Sequence, residues 1–105
     1  MITALIRVEH GVEALAVTLA ALVPAVVDGL VGEAVVLTSR IDEPLAGVAD
    51  AVGATLLPVS GDPWREGARR AKRDWLLCLA DGDVPTEGWI RAIDRFIALS
   101  PPDRR

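Results

Sequence analysis

The chain has 105 residues, of which 51% are hydrophobic and 25% charged, and its formal net charge is −4. This length predicts one domain over residues 1–105, and the composition excludes a disordered chain. The net negative charge gives no electrostatic reason to approach a polyanion, so we expect no nucleic-acid partner.

The first half of the chain alternates between strand and helix patterns. Residues 2–8 are a short apolar run that predicts a buried strand. Four apolar residues then recur at helical spacing: Leu15, Leu19, Leu22 and Val26. Pro24 is predicted to end or kink this helix, and residues 28–32 are predicted to form a turn. Residues 33–38 predict a second strand. Its sequence lacks polar alternation, which predicts that other elements cover both of its faces.

The second half continues the alternation. The predicted elements are a helix over 44–52, a strand over 55–59, a helix over 63–72, a strand over 74–79 and a helix capped by Thr86. Gly53 is the predicted C-terminal cap of the first of these helices, and Asp62 is the predicted N-cap of the second. The last helix carries a predicted inward face of Trp89, Ile90, Ile93 and Ile97.

Four strands that alternate with four helices predict an α/β fold, a Rossmann-like parallel sheet of about four strands with helices on both faces. Ligands of such sheets bind outside the carboxyl ends of the strands. Functional residues are therefore expected in the loops at 7–10, 38–42, 59–62 and 80–84.

The loop after the fourth strand is acidic, because it contains Asp81 and Asp83. Two carboxylates one residue apart offer the hard oxygen ligands that Mg²⁺ or Mn²⁺ prefers, and such a cation neutralises a bound diphosphate. A solvated Asp-Gly turn is the competing interpretation.

Other residues have a structural and a functional interpretation. Arg65, Arg69 and Lys72 share one helix face, which is either a phosphate-binding stripe or a solvated exterior. For His10, the only histidine, a surface or turn role outweighs a catalytic one. Trp64, at the junction of a loop and a helix, is a candidate for stacking on a sugar.

The single cysteine, Cys78, excludes an internal disulfide and is expected to be a buried core thiol. The first residues lack the basic leader and cleavage site of a secretory signal, so a cytoplasmic location is expected. The longest apolar stretch, residues 14–27, is too short to cross a bilayer, and peripheral membrane contact stays open.

Several stretches of the chain together match one known pattern. Residues 33–37 (Glu-Ala-Val-Val-Leu) resemble a Glu-Val-Ile-Val-Val run, and residues 76–85 resemble a strand ending in Leu-Asp-Ala-Asp-Asp, followed by Gly88-Trp89. Gly67, Ala71 and Asp74 match the positions before that strand. With the order of elements, these residues resemble the amino-terminal half of a family 2 glycosyltransferase, whose fold is called GT-A.

Members of that family transfer a sugar from a nucleotide diphosphate sugar to an acceptor, usually with a divalent cation. The resemblance therefore implies a nucleotide-sugar ligand, a Mg²⁺ or Mn²⁺ cofactor at Asp81 and Asp83, and no identifiable catalytic residue. The nucleotide-binding residues expected here are Val8, Glu9, Thr38, Ser39 and Arg65.

Two functional hypotheses follow. The first is a reduced glycosyltransferase. The second is a non-catalytic GT-A-like binding or dimerisation domain, since the family continues into an acceptor-binding half that this chain is not expected to contain. Self-association that covers exposed apolar surface makes a homo-oligomer possible.

Overall fold

The computed structural model describes residues 2–71, 75–85 and 88–99. Strands and helices alternate along the chain, which confirms the predicted alternation. The elements are β1 (Ile2–Arg7), α1 (Val12–Val27), β2 (Val31–Thr38), α2 (Glu43–Ala51), β3 (Thr55–Pro58), α3 (Pro63–Arg70), β4 (Trp75–Ala80) and α4 (Trp89–Leu99).

The four strands form one parallel sheet in the order β3-β2-β1-β4. The central strand β1 pairs with β2 on one side and with β4 on the other, so that Leu5 lies between Val35 and Cys78. The predicted Rossmann-like α/β sheet is confirmed.

Helices cover both faces of the sheet, as predicted. On one face, Ile6 and Val36 of the sheet join Leu15 and Leu19 of α1 in the larger apolar cluster. On the other face, Leu5, Val35 and Leu37 form a smaller cluster, against which Trp64 of α3 packs. Trp64 is therefore half-buried at the sheet.

Local signals placed two helix ends correctly. The Asp62 carboxylate accepts a hydrogen bond from the N–H of Trp64 at 3.0 Å, as an N-cap does. Gly53 follows α2 with φ of +74°, the left-handed conformation typical of the residue after a helix.

The structure corrects several predicted boundaries and faces. β2 begins at Val31, so the predicted turn at residues 28–32 is shorter, and α3 ends at Arg70 instead of residue 72. The helix α1 continues past Pro24 to Val27. One turn beyond Leu22, the buried residue is Ala25, whereas Val26 is 53% exposed in the last turn of the helix.

The prediction that Cys78 is a buried core thiol is wrong, because Cys78 is exposed. Along β4, Leu76 and Cys78 lie on the exposed side, whereas Trp75 and Leu77 pack against the larger core cluster. The predicted cap Thr86 and the side chain of Ile97 lie outside the described residues.

Candidate functional site

The loops after β1, β2 and β3 surround an open cavity of about 370 Å³ at the carboxyl edge of the sheet. The cavity forms there because parallel strands end at the same edge. Its volume falls in the range of small-molecule sites. Its lining includes Arg7, Val8, Glu9, Ser39, Ser60 and Gly61.

The Asp81 carboxylate is buried between β4 and the loop from β1 to α1, and its side chain is 0% exposed. Its Oδ1 accepts a hydrogen bond from the N–H of Glu9 at 2.9 Å. Its Oδ2 accepts hydrogen bonds from the N–H groups of His10 at 2.7 Å and Gly11 at 2.9 Å. A fourth contact joins Oδ1 to Nδ1 of His10 at 3.1 Å. A carboxylate has about four acceptor positions, so the protein's own donors saturate Asp81.

These contacts determine the charge state of the pair. Burial raises the pKa of the Asp81 carboxyl, but the hydrogen bonds from Glu9, Gly11 and His10 together lower that pKa below its ordinary value of 3.8. Asp81 is therefore an ionised acceptor at neutral pH, and Nδ1 of His10 carries the shared proton. The hydrogen bond to Asp81 and the charge of Asp81 raise the pKa of the exposed His10 ring above 6.5.

Asp81 also completes the start of α1. The N-cap residue Gly11 contributes no side-chain cap, and its φ of 126° suits glycine. Free N–H groups and the helix dipole attract an anion at such a position, where many α/β nucleotide-binding folds place a phosphate. In this protein a carboxylate from the end of β4 fills that position.

The rest of the acidic loop is anchored to α1. The N–H of Gly82 donates to Oγ1 of Thr18 at 2.8 Å, and that hydroxyl donates to the carbonyl of Asp83 at 2.9 Å. Thr18 is completely buried on the inner face of α1. The loop is thus held at its backbone by tertiary contacts, unlike a simple solvated turn.

The two carboxylates predicted to bind a metal have different surroundings. Asp83 is exposed, and its Oδ2 accepts a hydrogen bond from the N–H of Ala80 at 2.9 Å. Among the described residues, Glu9, His10 and Asp81 bring ligand atoms within 4.8 Å of one another, and Asp83 is not in this group. A cation bound to Asp81 has to displace one of its four hydrogen bonds.

Of the predicted nucleotide-binding residues, Val8, Glu9 and Ser39 line the cavity. The hydroxyl of the buried Thr38 donates a hydrogen bond to the carbonyl of Arg40 at 2.7 Å. This bond within the turn after β2 uses the proton that the hydroxyl could donate to a ligand. Arg65 lies on α3, is exposed, and is not among the residues that line the cavity.

Sequence reasoning assigned no specific role to Arg7. Its prediction of a surface or turn role for His10 is confirmed, because His10 is exposed, but it missed the contact of His10 with Asp81. Arg7 lines the cavity and forms an ion pair with Glu9, and His10 contacts Asp81 across 71 positions of the chain. The alternation of Arg7 with Glu9 at a strand end was a local signal for the ion pair. No local pattern signals the contact between His10 and Asp81.

No known protein family matches the chain, and no curated protein or solved structure matches it. None of the helices in the described ranges is long and apolar enough to cross a membrane.

Proposed function

We propose that this protein binds the nucleoside diphosphate part of a nucleotide sugar in the strand-end cavity and acts as a glycosyltransferase-like protein. The observation that carries the proposal is the cavity itself, at the sheet edge where α/β folds bind ligands, with three of the five expected nucleotide-binding residues in its lining.

The polar groups of the cavity suit a nucleotide. The Glu9 carboxylate accepts hydrogen bonds from nucleobase N–H or ribose hydroxyl groups, and the Ser39 hydroxyl both donates and accepts. Arg7 is the one cationic side chain among the described residues that line the cavity, and its guanidinium suits a phosphate oxygen.

The diphosphate has to lie away from the two nearest helix starts. Before α1, the Asp81 carboxylate already accepts the hydrogen bonds of the free N–H groups. At the start of α3, the Asp62 and Glu66 carboxylates accept hydrogen bonds from N–H groups in the same way. A phosphate at either place meets a carboxylate. The proposal therefore places the diphosphate near Arg7. Asp83 lines a second cavity, beside Leu79 and Trp89, and its exposed carboxylate is kept as the proposed protein ligand of a Mg²⁺ or Mn²⁺ ion that the diphosphate brings.

A second candidate function is nucleotide-sugar binding without transfer. The saturation of Asp81 favours it, because one of the two carboxylates predicted to hold the cation already has four hydrogen-bond partners. Loss of a cation ligand weakens charge neutralisation on the leaving diphosphate and leaves binding possible.

Thermal unfolding with UDP, GDP and ADP, each with and without Mn²⁺, tests the proposal. We expect UDP or GDP to raise the melting temperature, because a ligand that binds only the folded state stabilises it. Arg7→Gln should remove most of the rise, whereas Arg69→Gln, an exposed substitution of the same kind on α3, should keep it. Asp83→Asn should reduce only the part that depends on Mn²⁺.

A melting temperature unchanged by every nucleotide contradicts the proposal. The two candidates are then separated by incubating UDP-glucose and GDP-mannose with the protein and measuring released UDP or GDP. Release supports transfer chemistry, and binding without release supports the second candidate.

A further inference from the structure

The two edge strands of the sheet differ in how they are protected. Edge strands present unpaired backbone N–H and C=O groups, and proteins protect them with short length, proline or charged side chains. β3 has four residues and ends in Pro58. β4 has six residues, Trp-Leu-Leu-Cys-Leu-Ala, with neither proline nor a charged residue.

The outer edge of β4 has no strand partner among residues 2–71, 75–85 and 88–99. At its carboxyl end, the N–H and C=O groups of Ala80 are already bonded to Asp83, so the open part of the edge ends at Cys78 and Leu79. Its exposed apolar surface extends to both faces of the sheet. On one face Leu76 is 41% exposed and Cys78 is exposed. On the other face, an open cavity of about 380 Å³ is lined mainly by apolar residues, including Leu77, Leu79, Val84 and Trp89.

We propose that β4 pairs with β4 of a second copy of this chain, antiparallel about a twofold axis perpendicular to the sheet, which makes one continuous sheet of eight strands. Only another extended strand satisfies a row of edge N–H and C=O groups, and a twofold pair needs one self-complementary surface. β4 is uncharged along its length, so two copies meet there without like-charge repulsion.

The pleat restricts the register of this pair. Opposite residues of an antiparallel pair lie on the same face, so the symmetric pairings of five residues are centred on Leu77 or on Cys78. The second needs the backbone groups of Ala80, which Asp83 already occupies, so the pair is centred on Leu77. Leu76 then lies opposite the partner's Cys78, and the two Cys78 Cα atoms are separated by about 7–8 Å.

The size of the contact predicts its strength. A six-residue edge is about 20 Å long, and the side chains on both faces of the sheet, with α4 beside one of them, give a width of roughly 20 Å, so each copy buries roughly 400 Å². The total of about 800 Å² lies below standard specific interfaces and is typical of weak, reversible association. We therefore expect a dimer whose population rises with protein concentration. This inference does not depend on the proposed nucleotide function.

Sedimentation velocity of the full chain, from low micromolar to near-millimolar concentration, tests the inference. We expect a monomer that converts reversibly to a dimer. Leu76→Lys should weaken the dimer at least tenfold, because it places a charge on the edge strand. Val27→Lys is the control, because Val27 is a 79% exposed apolar residue on α1. It should leave the dimer unchanged.

Cross-linking provides a readout that needs no folded variant. Cys78 is the only cysteine, so a short bis-maleimide should join two wild-type chains at concentrations that give dimer and not in dilute samples. A chain that is monomeric at every concentration overturns the inference. So does a dimer that Cys78 does not cross-link, or one that Val27→Lys disrupts and Leu76→Lys does not.

Discussion

Among single residues, Asp81 is the side chain whose four hydrogen-bond contacts join the end of β4 to the start of α1. It is buried, ionised, and bonded to three backbone N–H groups of the loop between β1 and α1. Asp81→Asn replaces one acceptor oxygen with a donor that faces N–H groups. We expect a loss of roughly 2–4 kcal/mol in the free energy of unfolding, measured by urea denaturation.

Asp83→Asn is the matched control for that experiment, because Asp83 lies two positions away and its carboxylate is exposed. Its single bond to the N–H of Ala80 predicts a loss below about 1 kcal/mol. Equal losses for the two variants would show that Asp81 does not hold the loop to the end of β4.

The His10 ring should titrate above its ordinary pKa of 6.5, because Asp81 accepts its Nδ1 proton and attracts its charge. Proton NMR of the only histidine measures this directly, and Asp81→Asn should return the pKa toward 6.5. A His10 pKa at or below 6.5 in the wild-type protein would contradict the hydrogen bond.

The sign of the linked stability follows from the direction of each shift. The folded pKa of His10 is raised, so its stabilisation is complete below pH 6.5 and is lost as pH rises through the folded pKa. The folded pKa of Asp81 is lowered, so its stabilisation is present above pH 3.8 and is lost as pH falls through the folded pKa. Urea unfolding across this range should show the His10 contribution disappear in His10→Gln.

Sequence reasoning identified Asp81 as a candidate metal ligand and did not show the hydrogen bonds that it accepts. Its position after an apolar strand predicted a loop at the carboxyl edge of the sheet, and the structure confirms that place. The hydrogen-bond partners of Asp81 are 70–72 positions away in the chain, so no local spacing in the sequence indicates that its carboxylate accepts hydrogen bonds from backbone N–H groups.

At the scale of elements, the packing of α3 on the sheet depends on Gly67. A Cβ at this position would lie 3.0 Å from Leu37 Cδ1 and 3.2 Å from Leu5 Cδ1, and both leucines are completely buried. Gly67→Ala gains about 1 kcal/mol of helix propensity and loses about 1–3 kcal/mol by overpacking. We expect net destabilisation in urea denaturation.

Gly47→Ala in α2 is the matched control, because a Cβ there has no atom within 4 Å. It should raise the free energy of unfolding by about 1 kcal/mol, the helix propensity alone. A gain of the same size in both variants would mean that α3 does not approach the sheet closely at Gly67.

Elements with local signals were predictable, and elements defined by neighbours were not. The caps at Asp62 and Gly53 follow from single residue types, and their geometry is confirmed. The exposure of Cys78 depends on the order of the strands, which puts β4 at an edge, and on the position of α3. An apolar run in the sequence is the same for an edge strand as for a central one.

At the scale of the whole molecule, topology explains why a site is expected at all. The four parallel strands bring loops from distant parts of the chain to one edge, and Val8, Glu9 and Ser39 meet in one cavity. The alternation of strands and helices was enough to predict this meeting place. The ligand was not predictable in the same way, because the polarity of the cavity depends on how side chains from three distant loops, such as Glu9, Ser39 and Ser60, combine in one lining.

The central claim is nucleotide binding at the strand-end cavity, and two-dimensional ¹H–¹⁵N NMR of the whole chain titrated with UDP and GDP tests it most directly. The account predicts saturable shifts of the backbone amides of Val8, Glu9, Ser39 and Gly61. The amides of α2 (Glu43–Ala51) should not move. Spectra unchanged by either nucleotide, or shifts confined to α2, would contradict the claim.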